Sequence, residues 1–144
     1  MRGRIVALGL LVAGVAAAAE QRPAWNGSWI ATGGPATFRG TWSARALPND
    51  ANSVVGSWTL NRDDGSVAMQ GTWSGRKTPR AWRGSWQAKA QNGGTFSGTW
   101  QAAVASDFKG KTFEDLLQAG AAQQMSGIWR MGRAGGNWWL KPLE

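Results

Sequence analysis

The chain of 144 residues contains no cysteine, no histidine and no tyrosine. Without cysteine there is no disulfide to staple the fold and no thiolate nucleophile, whatever the redox state of its compartment. Without histidine the commonest metal ligand and general base is gone, and without tyrosine so is the phenol. Acidic groups are scarce too, eight Asp or Glu against sixteen Lys or Arg, for a formal charge of +8. No metal, cofactor or enzymatic activity is therefore expected. A basic balance of this kind suits anionic surfaces such as lipid headgroups, envelope polysaccharide or nucleic acid, and otherwise serves as plain surface charge.

Long apolar runs are missing with one exception. Arg2 and Arg4 precede an apolar stretch from Ile5 to Ala16, and Ala17-Ala18-Ala19 supplies a small-residue cleavage site before Glu20. Residues 1–19 read as a secretory signal peptide, or as an N-terminal anchor if uncleaved, and residues 20–144 as one β-barrel domain. The stretch falls short of the ~20 residues that span a bilayer. A periplasmic or secreted location follows as the expectation, with membrane contact only if residues 1–19 are kept.

What is present is tryptophan, eleven of them, with twenty-one glycines. Eight copies of Gly-x-Trp end at Trp29, Trp42, Trp58, Trp73, Trp86, Trp100, Trp129 and Trp138. Each sits in an alternating frame, as in Phe38-x-Gly40-x-Trp42-x-Ala44 or Val54-x-Gly56-x-Trp58-x-Leu60. Period two is the mark of a half-buried β-strand, and a repeated unit of this kind buries its apolar face only against its neighbours. Gly-Ser-Trp and Gly-Thr-Trp alternate through the first six copies, which groups the eight strands into four hairpins. Turn formers lie between the strands of each: Thr32-Gly33-Gly34-Pro35, Asn61 to Gly65, Gln91 to Gly94 and Gly132 to Gly135.

Sequential strands with short loops predict up-and-down pairing, and the absence of a second layer predicts closure. The expected fold is all-β, an eight-stranded antiparallel up-and-down barrel of four Gly-x-Trp hairpins. One short helix is expected between strands six and seven, with Thr112 as N-cap, Asp115 three residues on, a run from Phe113 to Ala119 and Gly120 as its stop. Glycine and tryptophan should face inward, because the alternate positions carry Arg39, Thr41, Ser57, Gln70, Thr72, Gln87, Thr99 and Arg130. A transmembrane barrel would reverse that phase.

Tryptophans of odd strands should lie toward one end of the barrel and those of even strands toward the other. The helix, with Phe113, Leu116 and Leu117, should cap the even mouth. The odd end, near Trp29, Trp58, Trp86 and Trp129, is then the candidate ligand-binding opening. Most of these indoles read first as core, since glycine at a strand's waist leaves room for a neighbour's ring. Their N–H groups raise a second question, because the expected lining offers no side-chain acceptor. Backbone carbonyls, ordered water or a bound ligand would each satisfy them. A small planar or amphipathic ligand is the functional alternative among the three.

Arg76, Lys77, Arg80 and Arg83 form the one dense cation cluster, a candidate site for an anionic envelope surface or acidic partner. Nucleic acid is not an expected partner, since only Trp139 is phased to face outward and the export pattern argues against it. Asp63-Asp64-Gly65 reads as turn chemistry.

The alternating strands over residues 25–140 resemble the avidin and lipocalin group of eight-stranded barrels, which implies a small ligand in the lumen. Lacking tyrosine and a polar lumen, the chain does not carry biotin binding over from that resemblance. The frame aromatic-x-Gly-x-Trp at Phe38–Trp42, Trp82–Trp86 and Phe96–Trp100 is also similar to the core of MORN repeats. Three functions remain in view: an exported binding module for a small ligand or partner protein, an accessory subunit of an envelope complex, and an inhibitor of an envelope or secreted enzyme.

Overall fold

Eight strands in sequence order close on themselves: β1 (Trp25–Gly33), β2 (Ala36–Leu47), β3 (Asp50–Asn61), β4 (Val67–Lys77), β5 (Trp82–Ala90), β6 (Thr95–Ala102), β7 (Met125–Met131) and β8 (Ala134–Pro142). Every neighbouring pair is antiparallel, and β8 closes against β1 from Gly27↔Pro142 to Ala31↔Trp138. Among the described residues there is one short helix, α1 (Phe113–Ala119), between β6 and β7. The structure is a computed structural model and describes residues 25–79, 81–103, 108–119 and 125–142. Residues 1–19, Arg80 and the expected helix stop at Gly120 lie outside the described residues.

The turns at the odd end follow from glycine. Gly34-Pro35 and Gly132-Arg133 are two-residue connections whose first residue has φ of 58° and 60°. That first-position glycine is what tight hairpins with the twist of the flanking strands require. Asp64 serves the next hairpin, accepting from Ser66 N at 2.8 Å and Ser66 Oγ at 2.6 Å. Asn92 Oδ1 does the same for Gly94 N at 2.9 Å. Short connections fix each register, and register decides which residues meet.

Within every hairpin the register pairs glycine with tryptophan reciprocally. Gly27 faces Trp42 while Trp29 faces Gly40, and Gly56 faces Trp73 while Trp58 faces Gly71. Gly84 with Trp100, Trp86 with Gly98, Gly127 with Trp138 and Trp129 with Gly136 complete the set. Between hairpins the tryptophans face one another, at Trp42↔Trp58, Trp73↔Trp86 and Trp100↔Trp129.

These glycines are sterically committed. A Cβ at Gly40 would fall on the Thr59 carbonyl, and Trp29 Nε1 stands 2.9 Å from the same point. A Cβ at Gly71 would fall on the Gln87 carbonyl, with Trp58 Nε1 at 2.9 Å, and one at Gly136 on the Thr32 carbonyl, with Trp129 Nε1 at 3.0 Å. The bare backbone admits both a neighbour's ring and a carbonyl of the next strand.

On the outer wall, hydroxyls tie the strands laterally. Thr41 Oγ1 and Thr59 Oγ1 lie 2.7 Å apart, as do Ser43 Oγ and Ser57 Oγ. The Ser/Thr position of each repeat thus faces solvent while its Gly and Trp face the lumen.

Because the atom in the way at Gly40 is backbone, Gly40→Ala should destabilise the barrel by about 3 kcal/mol or more, the upper range for overpacking. Gln87→Ala, on the exposed wall, should stay within about 0.5 kcal/mol. Urea unfolding of the two variants is the check.

Candidate functional site

The barrel interior is hollow. It holds a cavity of about 310 Å³ lined only by Trp, Phe, Leu, Met and Ala side chains. The seven-residue α1 forms its floor. Phe113 is 1% exposed and reaches into an aromatic socket, with ring centroids 5.6 Å from Trp25, 5.8 Å from Trp73 and 5.6 Å from Trp82. Leu116 and Leu117 are buried beside it in the same core as Val54 and Trp42. This places Phe113, Leu116 and Leu117 at the even mouth. Trp25 and Trp82 complete the socket; they lie outside the Gly-x-Trp count, and only tertiary packing reveals their role.

Local chemistry holds the helix start. Thr112 Oγ1 accepts from Asp115 N at 3.1 Å, and Asp115 Oδ2 accepts from Lys111 N at 2.8 Å and Thr112 N at 3.1 Å. This is a capping box with aspartate in the usual glutamate place. The Lys111 and Thr112 amides hold the Asp115 carboxyl below its ordinary 3.8.

Trp29, Trp58, Trp86 and Trp129 form a chain of edge-to-face contacts at the odd rim, with centroids 6.0, 6.1 and 6.4 Å apart in that order. Each contact crosses the glycine of the strand between. The even rim repeats the arrangement from Trp73 to Trp100 at 5.7 Å and Trp100 to Trp138 at 6.0 Å. The rims differ in exposure: at the even rim Trp42 and Trp138 are buried and Trp73 and Trp100 half-buried, whereas all four odd-rim indoles are half-buried. Phe96, also lining the cavity near that rim, is 41% exposed. The odd end, spanned by hairpin turns, is therefore the more open one.

All eight repeat indoles donate to backbone carbonyls. Four reach across a glycine to the second strand over: Trp29 to Thr59 O at 2.9 Å, Trp73 to Ser43 O at 3.1 Å, Trp100 to Ser74 O at 2.8 Å and Trp129 to Thr32 O at 2.9 Å. The other four donate to the adjacent strand: Trp42 to Ser28 O at 3.1 Å, Trp58 to Thr72 O at 3.3 Å, Trp86 to Thr99 O at 3.2 Å and Trp138 to Ile128 O at 2.9 Å. A carbonyl has two lone pairs, so it can serve a strand ladder and an indole together. Of the three acceptors considered for these N–H groups, the backbone is the one in place, and no ligand is needed to satisfy them. Trp82 Nε1, at the even socket, is buried with no partner among the described residues.

The cation cluster is divided by the sheet. Arg76 and Arg83 are register partners on the outer face of β4 and β5. Lys77 shares the opposite face with Trp73 and Gly75, following strand alternation, and Arg80 lies outside the described residues. Arg76 Nη2 is 3.6 Å from Asp50 Oδ2, the one ion pair among the described residues. Asp50 is held below its ordinary value by the Ser53 hydroxyl and then the Asn52 amide, with Arg76 contributing less. Asp64 is lowered in the same way by the Ser66 hydroxyl and amide. Asp50, Asp64 and Asp115 are thus occupied with turns and a helix cap, and none of them lines the cavity.

Compared with known proteins, the chain matches no protein-family model, no curated protein and no solved structure.

Asp50, Asp64 and Asp115 all titrate lower when folded than when unfolded. The stability they contribute is complete above the ordinary carboxylate value and lost as pH falls through their lower folded values. The urea midpoint should therefore fall between about pH 5 and about pH 2. Asp115→Asn should lower the midpoint at pH 7 and flatten part of that acid slope.

Proposed function

We propose that this protein is an exported, non-enzymatic β-barrel that holds one small apolar molecule in its lumen, admitted at the odd rim past Trp29, Trp58, Trp86 and Trp129. The observation that carries the reading is the cavity itself: about 310 Å³, wholly apolar in lining and floored by Phe113. Protein interiors are ordinarily close-packed, and an apolar void of several water volumes gains free energy when an apolar guest fills it. The volume lies at the lower edge of ligand pockets, which run from roughly 300 to 1,000 Å³. This favours a compact flat molecule, or an amphipathic one whose polar end stays outside the rim.

Satisfaction of the indoles by backbone sharpens the ligand's chemistry. With every repeat N–H already donated, the lumen presents carbon, methionine sulfur and the π-faces and edges of aromatic rings. Selection would rest on size and shape, because the unpartnered polar atoms Trp82 Nε1 and Asn61 Oδ1 belong to residues outside the cavity lining. Among the described residues no titratable side chain lines the cavity, and none there would transfer a proton to a bound molecule or attack it. Export to the periplasm or beyond rests on the Arg2-Arg4 and Ile5–Ala16 pattern of residues 1–19.

Calorimetric titration with a graded series from benzene to fused aromatics and medium-chain alcohols tests this. One-to-one binding with a negative heat-capacity change and a sharp size cutoff is expected. Met131→Trp, which adds bulk to the lining, should weaken binding at least about tenfold while leaving far-UV dichroism unchanged. Absence of saturable binding across the series, or equal affinity in the filled variant, would sink the proposal.

A further inference from the structure

Cations and exposed apolar side chains coincide on one side of the barrel wall. Residues 25–47 and 125–142, which build β7, β8, β1 and β2, contain Arg39, Arg45, Arg130, Arg133 and Lys141 but not one Asp or Glu. On the other half Asp50 pairs with Arg76 and Asp63 and Asp64 sit in the β3–β4 turn, while residues 65–106 are free of Asp and Glu as well. What sets the β7–β8–β1–β2 half apart is apolar exposure beside its arginines. Among the described residues the exposed large hydrophobics are Ile30 at 44%, Ile128 at 41% and Phe96, the last at the odd mouth. Ile30 on β1 is the register partner of Trp139 on β8, and Ile128 on β7 is the partner of Asn137, two places from Trp139 on the same face. At the usual strand separation, Ile30, Trp139 and Ile128 form an outward diagonal row of roughly 10 Å. Arg39 faces Ile30 from β2, Arg130 follows Ile128 by two places, and both are exposed.

We propose that this β7–β8–β1–β2 wall docks on an anionic phospholipid surface, with Ile30, Trp139 and Ile128 entering the headgroup boundary and Arg39 and Arg130 meeting the phosphates. Charge complementarity names the occupant: among the described residues the strands of this half carry arginine and no carboxylate, which favours a negative surface. Shape selects lipid over an acidic protein. The hollows of the outward wall lie farther round, on β2 to β5; the convex wall at Ile30, Trp139 and Ile128 suits a bilayer surface, which is fluid and conforms. Indole beside aliphatic side chains, flanked by arginines, is the composition that settles at the membrane interface. This reading stands apart from what the lumen holds.

The test is binding of the full chain to vesicles of phosphatidylglycerol or phosphatidylcholine, some brominated to quench tryptophan at the boundary. Phosphatidylglycerol vesicles should bind the protein, more weakly as salt is raised, and bromolipid should quench a component of its emission that Trp139→Phe lacks. Arg39→Glu with Arg130→Glu should weaken that binding at least about tenfold, and Arg39→Gln with Arg130→Gln by a smaller factor in the same direction. Arg83→Glu, on the other half, should change it less than about threefold. All variants share residues 1–19, so binding that every variant keeps equally belongs to that segment and overturns the proposal. So does quenching that survives Trp139→Phe, or capture by polyglutamate without any bromolipid quenching.

Discussion

The structure depends on one three-part contact: an indole laid over a glycine, with its N–H donated to a backbone carbonyl. Each part requires the other two. A side chain in place of the glycine would collide with carbonyl and ring together. Loss of the ring would leave a gap over bare backbone, and loss of the acceptor would bury an unpaired N–H. Carbonyl and ring meet in this way at Gly40, Gly56, Gly71, Gly98, Gly127 and Gly136, all eight repeat indoles donate to backbone, and at four positions the N–H skips a strand to join three. A barrel without disulfides gains lateral ties beyond its ladders in this way. The Thr41–Thr59 and Ser43–Ser57 hydroxyl contacts repeat the tie on the outside.

The same contact explains why the interior is hollow. Rings that lie along the wall, over glycines, do not extend to the barrel axis, so the lumen is lined with aromatic surface and not filled by it. What closes the lumen comes from elsewhere in the chain. Phe113 on α1 enters the even end and is held by Trp25, Trp73 and Trp82, three rings set around a fourth. The odd end has only tight turns, and its four indoles stay half-buried. An otherwise nearly symmetric repeat thus acquires a floor and a mouth from the single segment that breaks its rhythm.

Much of this was legible in the sequence, because period-two alternation carried by Gly and Trp admits few other readings. Strand number, hairpin grouping, inward phase and the span Phe113–Ala119 follow from spacing and capping residues, and the barrel has them all. The acceptors of the indoles were not legible, since a backbone carbonyl leaves no mark in composition, and the expected polar role for a ligand rested on that gap. Trp25 and Trp82 as a socket depend on where α1 folds back, which no local pattern encodes. The grouping of Arg76, Lys77 and Arg83 treated neighbours in sequence as neighbours in space. Strand alternation already separated Lys77 from the other two, and that signal was available. The outward row of Ile30, Trp139 and Ile128 becomes visible only once β8 is known to close against β1, joining the two ends of the sequence into one wall.

The most direct measurement of the central contact is hydrogen exchange at the indole Nε1–H groups, followed by nitrogen-15 NMR with each resonance assigned by single Trp→Phe substitution. The account predicts that Trp29, Trp42, Trp58, Trp73, Trp86, Trp100, Trp129 and Trp138 exchange slowly and as a group, well behind the outward Trp139. If the odd-rim indoles exchanged as fast as Trp139, their N–H groups would be meeting water instead of the strand carbonyls, and the account would be contradicted.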